Sequence, residues 1–281
     1  MRPLSPPMQL AAFGAVLALL FGGGALAGEL IDPDARVEDA AHRKNMAMTE
    51  APEVHGLAVA DGGLRVIVDR PELRRGREEQ LAFRIVDARG ATVRDFDVEQ
   101  TKRMHLIIAR RDLTGFQHLH PAQSADGTWT TPVTLREAGS YRLFADFSHD
   151  GEARTLASDL RVDGDADLRE FPAPEPVAVS DGGYDVRLDA TGATAGEESE
   201  LRFTITRDGK RIRTEPYLGA GGHLVALREG DLGYLHVHPT DDGDSIGFAA
   251  TFPSAGRYRL FLQFEHEGRV QTVAFTQEVE R

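Results

Sequence analysis

The hexapeptide Phe116-Gln117-His118-Leu119-His120-Pro121 returns as Tyr234-Leu235-His236-Val237-His238-Pro239, and this echo constrains the chain more than any other feature. His105 stands 13 residues before His118, and His223 stands 13 residues before His236. Downstream, Ala138-Gly139-Ser140-Tyr141-Arg142-Leu143-Phe144 is answered by Ala255-Gly256-Arg257-Tyr258-Arg259-Leu260-Phe261, and each copy closes on a further histidine, His149 or His266. The openings match as well: Leu57-Ala58-Val59-Ala60-Asp61-Gly62-Gly63-Leu64 pairs with Val177-Ala178-Val179-Ser180-Asp181-Gly182-Gly183-Tyr184. The chain is therefore a full-length tandem duplication, and eight of its ten histidines fall into two matched sets of four.

From Val54 onward the side chains alternate between apolar and polar, as in Gly63-Leu64-Arg65-Val66-Ile67-Val68, in Gln80 to Val86 and in Met104 to Ala109. A period of two belongs to strands. Turn signals such as Ala88-Arg89-Gly90, Ser124-Ala125-Asp126-Gly127 and Glu137-Ala138-Gly139 separate the runs, and no helical stripe interrupts them. Short strands at this spacing predict an all-β fold of two tandem Ig-like, Greek-key β-sandwiches, over residues 53–163 and 177–281. The Ala-Gly-x-Tyr steps before Tyr141 and Tyr258 have the form of tyrosine corners, which pin a Greek-key connection. Between the copies, residues 164–176 carry acidic residues and then Pro172, Pro174 and Pro176, the composition of a short, stiff, solvated linker.

Residues 1–27 have the form of an export signal. Arg2 gives the positive end, Leu10 to Phe21 the apolar run, and Ala25-Leu26-Ala27 the small-x-small cleavage pattern. The rival is an uncleaved membrane anchor, disfavoured by Gly22-Gly23-Gly24 and by a run shorter than the roughly 20 residues a span needs. The expected location is secreted or extracytoplasmic, in the cell envelope. Residues 28–52 are polar and aperiodic, the pattern of a flexible tail. That tail holds His42, Met46 and Met48. Two thioethers are fewer than a Cu(I) site calls for, so they carry no assignment.

Composition excludes several function classes. With 45 acidic against 32 basic residues and a net charge of −13, nucleic acid is not expected as a partner. The absence of cysteine excludes disulfides, thiolate zinc sites, thiol catalysis and Cys-ligated blue copper.

The histidines are the remaining chemistry. On a strand, residues i and i+2 share a face, so His118 and His120 project together, as do His236 and His238. His105 and His223 lie in apolar strands that could neighbour these pairs. His149 follows Tyr141, Leu143, Ala145 and Phe147 at two-residue spacing, and His266 follows Tyr258, Leu260, Leu262 and Phe264 in the same way. The expectation is one site of three or four imidazoles per domain, drawn from His105, His118, His120 and His149 and from His223, His236, His238 and His266. Neutral imidazoles without thiolate suit Cu(II), Zn(II) or Ni(II), and by affinity order Cu(II) wins where it is available, with zinc second. Against this stands a structural role, since duplicated residues are inherited together. Selectivity favours the metal, because all four histidines stayed while loops and many core positions diverged. Asp146, three residues before His149, would add a carboxylate ligand only in the first domain, its counterpart being Gln263. His42 and His55 have no counterparts and read as surface residues.

The run Lys102-Arg103-Met104-His105-Leu106-Ile107-Ile108, continued by Phe116-Gln117-His118-Leu119-His120-Pro121, resembles the exported bacterial YtkA-like β-sandwich domains, which are related in shape to CopC-like copper-handling domains. The resemblance is strongest over residues 102–149 and 216–267. It implies an Ig-like fold and copper handling in the envelope, with a metal transporter or chaperone as partner, and it carries no catalytic role. The leading histidine of CopC-like proteins is missing, so only the internal histidines are candidates and a histidine brace is not available.

The expected function is thus an exported metal-binding protein, with copper as the first metal, acting as a buffer or carrier without turnover. Metal release is expected as pH falls below about 6, where free imidazole protonates. The alternative is a non-catalytic envelope scaffold or adhesion module with structural histidines. A copper enzyme such as a superoxide dismutase ranks third, because no bridging-histidine spacing or hydrolytic motif stands out.

Overall fold

The structure is a computed structural model describing residues 54–190, 192–235, 237–242 and 245–281. The expected signal and tail, with His42, Met46 and Met48, lie outside the described residues, as does His236.

The described chain is all β. The first copy contributes β1 (Ala60–Asp61), β2 (Leu64–Val68), β3 (Glu72–Leu73), β4 (Glu78–Val86), β5 (His105–Arg110), β6 (Gln117–Leu119), β7 (Ala122–Gln123), β8 (Trp129–Thr134), β9 (Gly139–His149) and β10 (Glu152–Val162). These form two sheets of order β1-β2-β4-β8-β7 and β3-β10-β9-β5-β6. The second copy repeats the plan with β11 (Val177–Val179), β12 (Asp185–Asp189), β13 (Glu198–Arg207), β14 (Lys210–Arg211), β15 (His223–Arg228), β16 (Tyr234–Leu235), β17 (His238–Asp242), β18 (Ser245–Thr251), β19 (Gly256–His266) and β20 (Arg269–Val279). Its sheets run β11-β12-β13-β18-β17, with β14 beside β13, and β16-β15-β19-β20. The two Ig-like sandwiches expected from the alternation are present.

Each sandwich has its own apolar core, because alternation aims one set of side chains inward. The first is built on Phe83, Ile85, Leu106, Ile108, Leu143 and Leu156, and the second on Phe203, Phe248, Leu224, Leu260, Phe264 and Phe275. Each such burial contributes on the order of 1.5–3 kcal/mol. Both tyrosine corners are formed. Tyr141 donates its hydroxyl to the Glu137 carbonyl at 2.8 Å, and Tyr258 donates to Ser254 at 2.9 Å. Gly139 and Gly256, at φ +126° and +130°, lead into these strands in a region that side chains avoid.

A third apolar cluster lies between the sandwiches. Ile107, Ala109, Phe144 and Ala157 meet Val225, Leu227, Tyr234 and Phe261, all buried. These residues alternate with the core-facing ones on β5, β9, β15 and β19, so the two inner sheets are covered on both faces. That is why every residue of β5 is buried. The contacts come in matched pairs: Phe116 stacks on Phe261 at 4.0 Å, and its counterpart Tyr234 packs on Phe144 at 5.6 Å. Exchanged roles of this kind mark an isologous, two-fold-like interface inside one chain.

Two segments tie the sandwiches together. His55 accepts at its carbonyl from the Tyr234 amide, while Gly56 and Ala58 bond to β10 of the first copy. Gly56 sits at φ +68°, and a Cβ there would lie 2.7 Å from the Phe144 ring. His55 is thus half-buried in a connecting strap, a correction to its reading as a surface residue. The linker is also more engaged than its composition predicts. Phe171 packs against the inter-sandwich cluster under the Arg257 guanidinium, and the Arg169 amide donates to Asp112.

Candidate metal centre

The histidines sort by sheet face, and the face is set by strand register. Ile107 points into the inter-sandwich layer, so His105, two residues earlier on β5, points there too. His118 pairs with Ile107 across the β5–β6 ladder and therefore shares that face, and so does His120. The ring nitrogens of His105, His118 and His120 that could hold a metal lie within 4.8 Å of one another. His105 is buried and the other two are partly so.

The second sandwich closes over this group. His223 of β15 stacks on His118 at 4.6 Å between ring centroids and on His105 at 5.7 Å. Gln263 of β19, the register partner of His223, places Oε1 2.6 Å from His118 Nδ1. On the first copy's side, the turn Glu99–Lys102 rims the site, with Gln100 and Thr101 at φ +44° and +69°. Its Glu99 carbonyl lies 3.2 Å from His105 Nε2. Lys102 is near enough to disfavour a charge on His120.

The hydrogen bonds fix which ring nitrogens donate. A carbonyl oxygen only accepts, so His105 donates from Nε2 to Glu99 and turns Nδ1 toward His118. An amide oxygen likewise only accepts, so His118 donates from Nδ1 to Gln263 and keeps a lone pair at Nε2. His105 Nδ1 and His118 Nε2 lie 3.1 Å apart. This is close to the edge, about 3.3 Å, of a tetrahedron with metal–nitrogen bonds of 2.0–2.1 Å. His120 adds a buried Nε2 that has no hydrogen-bond partner. Burial, with His105 and His120 close by, lowers the His118 pKa to about 3, and burial with His105 and Lys102 lowers that of His120 to about 4. These rings stay neutral until the pH approaches 4.

The other predicted ligands are elsewhere. His105 pairs with Asp146 on β9, so His149 lies three residues further along and on the opposite, core-facing side. Its Nδ1 donates to the Asp95 carbonyl at 2.8 Å, beside the Phe96 ring. His266 is likewise on the core-facing side of β19, with Nδ1 2.8 Å from the Tyr184 hydroxyl. His238 is exposed on β17, an edge strand of the outer sheet. Among the described residues, the structure gathers His105, His118 and His120 with His223 and leaves His149, His238 and His266 apart. Among the described residues Asp146 is not part of the cluster, and its two oxygens accept from Thr155 at 2.7 Å and from the Tyr234 hydroxyl at 3.2 Å. Glu99 and Gln263 were missed as site residues. The one sequence signal was the Asp146-to-Gln263 difference between the copies.

The family model described as "Domain of unknown function (DUF8832)" matches residues 58–164 and again residues 178–281. No curated protein matches the chain. Similar solved structures include FdeC, an Escherichia coli adhesin, at TM-score 0.28 and 16% identity over 80% of this chain and 66% of that one. A Salmonella alpha-2-macroglobulin gives 0.29 and 15% over 82% and 15%. Invasin, a bacterial integrin-binding protein, gives 0.26 and 11% over 79% and 41%. The chain thus spans just under two thirds of the first of these and a small part of the second.

Proposed function

This chain belongs to the DUF8832 family in two tandem copies, and from its histidine cluster we propose that it is an exported copper-binding protein, a buffer or carrier without turnover. One observation carries the reading. His105 Nδ1 and His118 Nε2 lie 3.1 Å apart, with His120 within ligand reach. Three imidazole nitrogens at this spacing suit one shared cation. The described cluster holds no carboxylate and the chain no thiolate, so the donors are borderline imidazoles, for which copper outranks zinc in affinity. A cell-envelope setting, with a metal transporter or chaperone as exchange partner, fits the N-terminal export pattern.

Equilibrium dialysis of the purified protein against Cu(II) and Zn(II) tests this. One tight equivalent is expected, tighter for copper. In His118→Ala/His120→Ala it is expected to weaken by more than the roughly 100-fold that loss of a supporting group produces. Equal binding by the variant would remove the reading.

The position of the cluster favours a second reading, a non-catalytic envelope scaffold. His105, His118 and His223 stack between two sandwiches that an apolar layer already joins, so they would serve as packing. On that reading the purified protein is metal-free, and the histidine variants lose stability equally with and without added copper.

A further inference from the structure

We infer that the centre is a composite of both copies, in which Gln263 of the second sandwich is a positioning residue that fixes His118 of the first in the tautomer with its proton on Nδ1 and its lone pair on Nε2. The metal role of that lone pair rests on the proposed function, but the tautomer assignment does not.

Gln263 is suited to the task by its two ends. Its side chain is buried, and its Nε2 donates to Thr272 Oγ1 at 3.1 Å. Thr272 is its register partner on β20, so the amide is held at its far end by the sheet that carries it. The oxygen is thereby turned across the interface to His118 Nδ1 at 2.6 Å. Ligating imidazoles depend on such partners at the other ring nitrogen, which set tautomer and ring orientation.

The equivalent position of the first copy is also used across the interface. Asp146 occupies the equivalent place, is anchored by Thr155 in the way Gln263 is anchored by Thr272, and reaches across the same interface to the Tyr234 hydroxyl. Both side chains therefore act between sandwiches. Gln263 meets the His118 imidazole, and it orients the ring without adding a negative charge. Because His118 belongs to β6 and Gln263 to β19, separating the sandwiches removes the orienting bond. Metal binding and docking of the two copies are then linked, and a ligand that binds the docked form stabilises it.

The test uses the full, metal-free protein and reads the His118 imidazole by long-range 15N–1H correlation. The wild type is expected to show the Nδ1–H tautomer. Gln263→Leu is expected to shift His118 toward Nε2–H, and Gln263→Glu, which keeps an acceptor oxygen, to restore Nδ1–H. Thr272→Val changes an exposed residue and keeps the protein folded should Gln263→Leu not be. It frees the amide and is expected to give a mixture of tautomers. Cu(II) affinity is expected to fall about tenfold to a hundredfold in Gln263→Leu with one equivalent still bound. An Nε2–H tautomer in the wild type, or a tautomer indifferent to residues 263 and 272, would overturn the inference. If the tautomer follows residue 263 while Cu(II) fails to bind the wild type, the metal reading falls and the positioning role of Gln263 stands.

Discussion

His118 and His120 differ from ordinary histidines in how far into acid they stay neutral, and this gives the first prediction. Their folded-state pKa values are lowered to about 3 and about 4 by burial and neighbouring positive charge, against about 6.5 in an unfolded chain. Below pH 6.5 the unfolded state therefore binds more protons than the folded one. Stability should fall as pH drops from about 6.5 toward 4, by at most about 1.4 kcal/mol per pH unit for each ring. Thermal melts of the metal-free protein check this, and the slope should flatten in His118→Gln/His120→Gln. Metal binding should persist at pH 5, since both rings are already neutral there. A second residue stands out for stability. Arg110 is fully buried and donates to Asp112, Thr114 and the carbonyls of Ala138 and Asp167. Burial alone would raise the Asp112 pKa, yet Arg110 and nearby amides hold it down at about 2. Arg110→Leu would strand that carboxylate and should cost roughly 3–5 kcal/mol by chemical denaturation. The histidines themselves were legible as residues, because His-x-His on a strand must share a face. Glu99 was not, because its contribution is a backbone carbonyl brought in by a turn.

At the scale of elements, register decides which histidines meet. The pairing of His105 with Asp146 puts His149 on the other side of the same sheet, and no spacing in the sequence reveals which residues of β5 and β9 face each other. The alternation of both strands was readable, but their pairing was not, because register is fixed by contacts between distant segments. The tyrosine corners were readable, since Ala-Gly-x-Tyr is a local signal with a local hydrogen bond. The turn at the rim of the site offers a prediction at this scale. Gln100 and Thr101 adopt positive φ in succession, the geometry of a type I′ hairpin turn that favours Asn-Gly. Replacing the pair by Asn-Gly should raise stability by about 1 kcal/mol, measured by denaturant titration. Copper affinity should remain, because the Glu99 carbonyl stays in place.

At the scale of the whole molecule, duplication has produced one interface rather than two separate modules. Side chains that alternate with the core residues, Ile107 and Phe144 in one copy and Val225 and Phe261 in the other, form a dry layer between the sandwiches. Their apolar character was visible in the sequence, but it reads as core until it is known that both faces of a sheet are covered. The expectation was one site per domain, where the described histidines form one cluster at the seam. A seam this apolar should couple the copies, so calorimetry should show a single unfolding transition. Phe261→Ala, which removes the ring stacked on Phe116, should cost about 3–5 kcal/mol and separate the transition into two. The most direct test of the central claim is electron paramagnetic resonance of the protein loaded with one equivalent of Cu(II). The account predicts nitrogen hyperfine structure from three imidazoles that disappears in His105→Ala/His118→Ala/His120→Ala. A spectrum unchanged in that variant, or a wild type that leaves the copper in solution, would contradict it and leave the cluster as packing between two sandwiches.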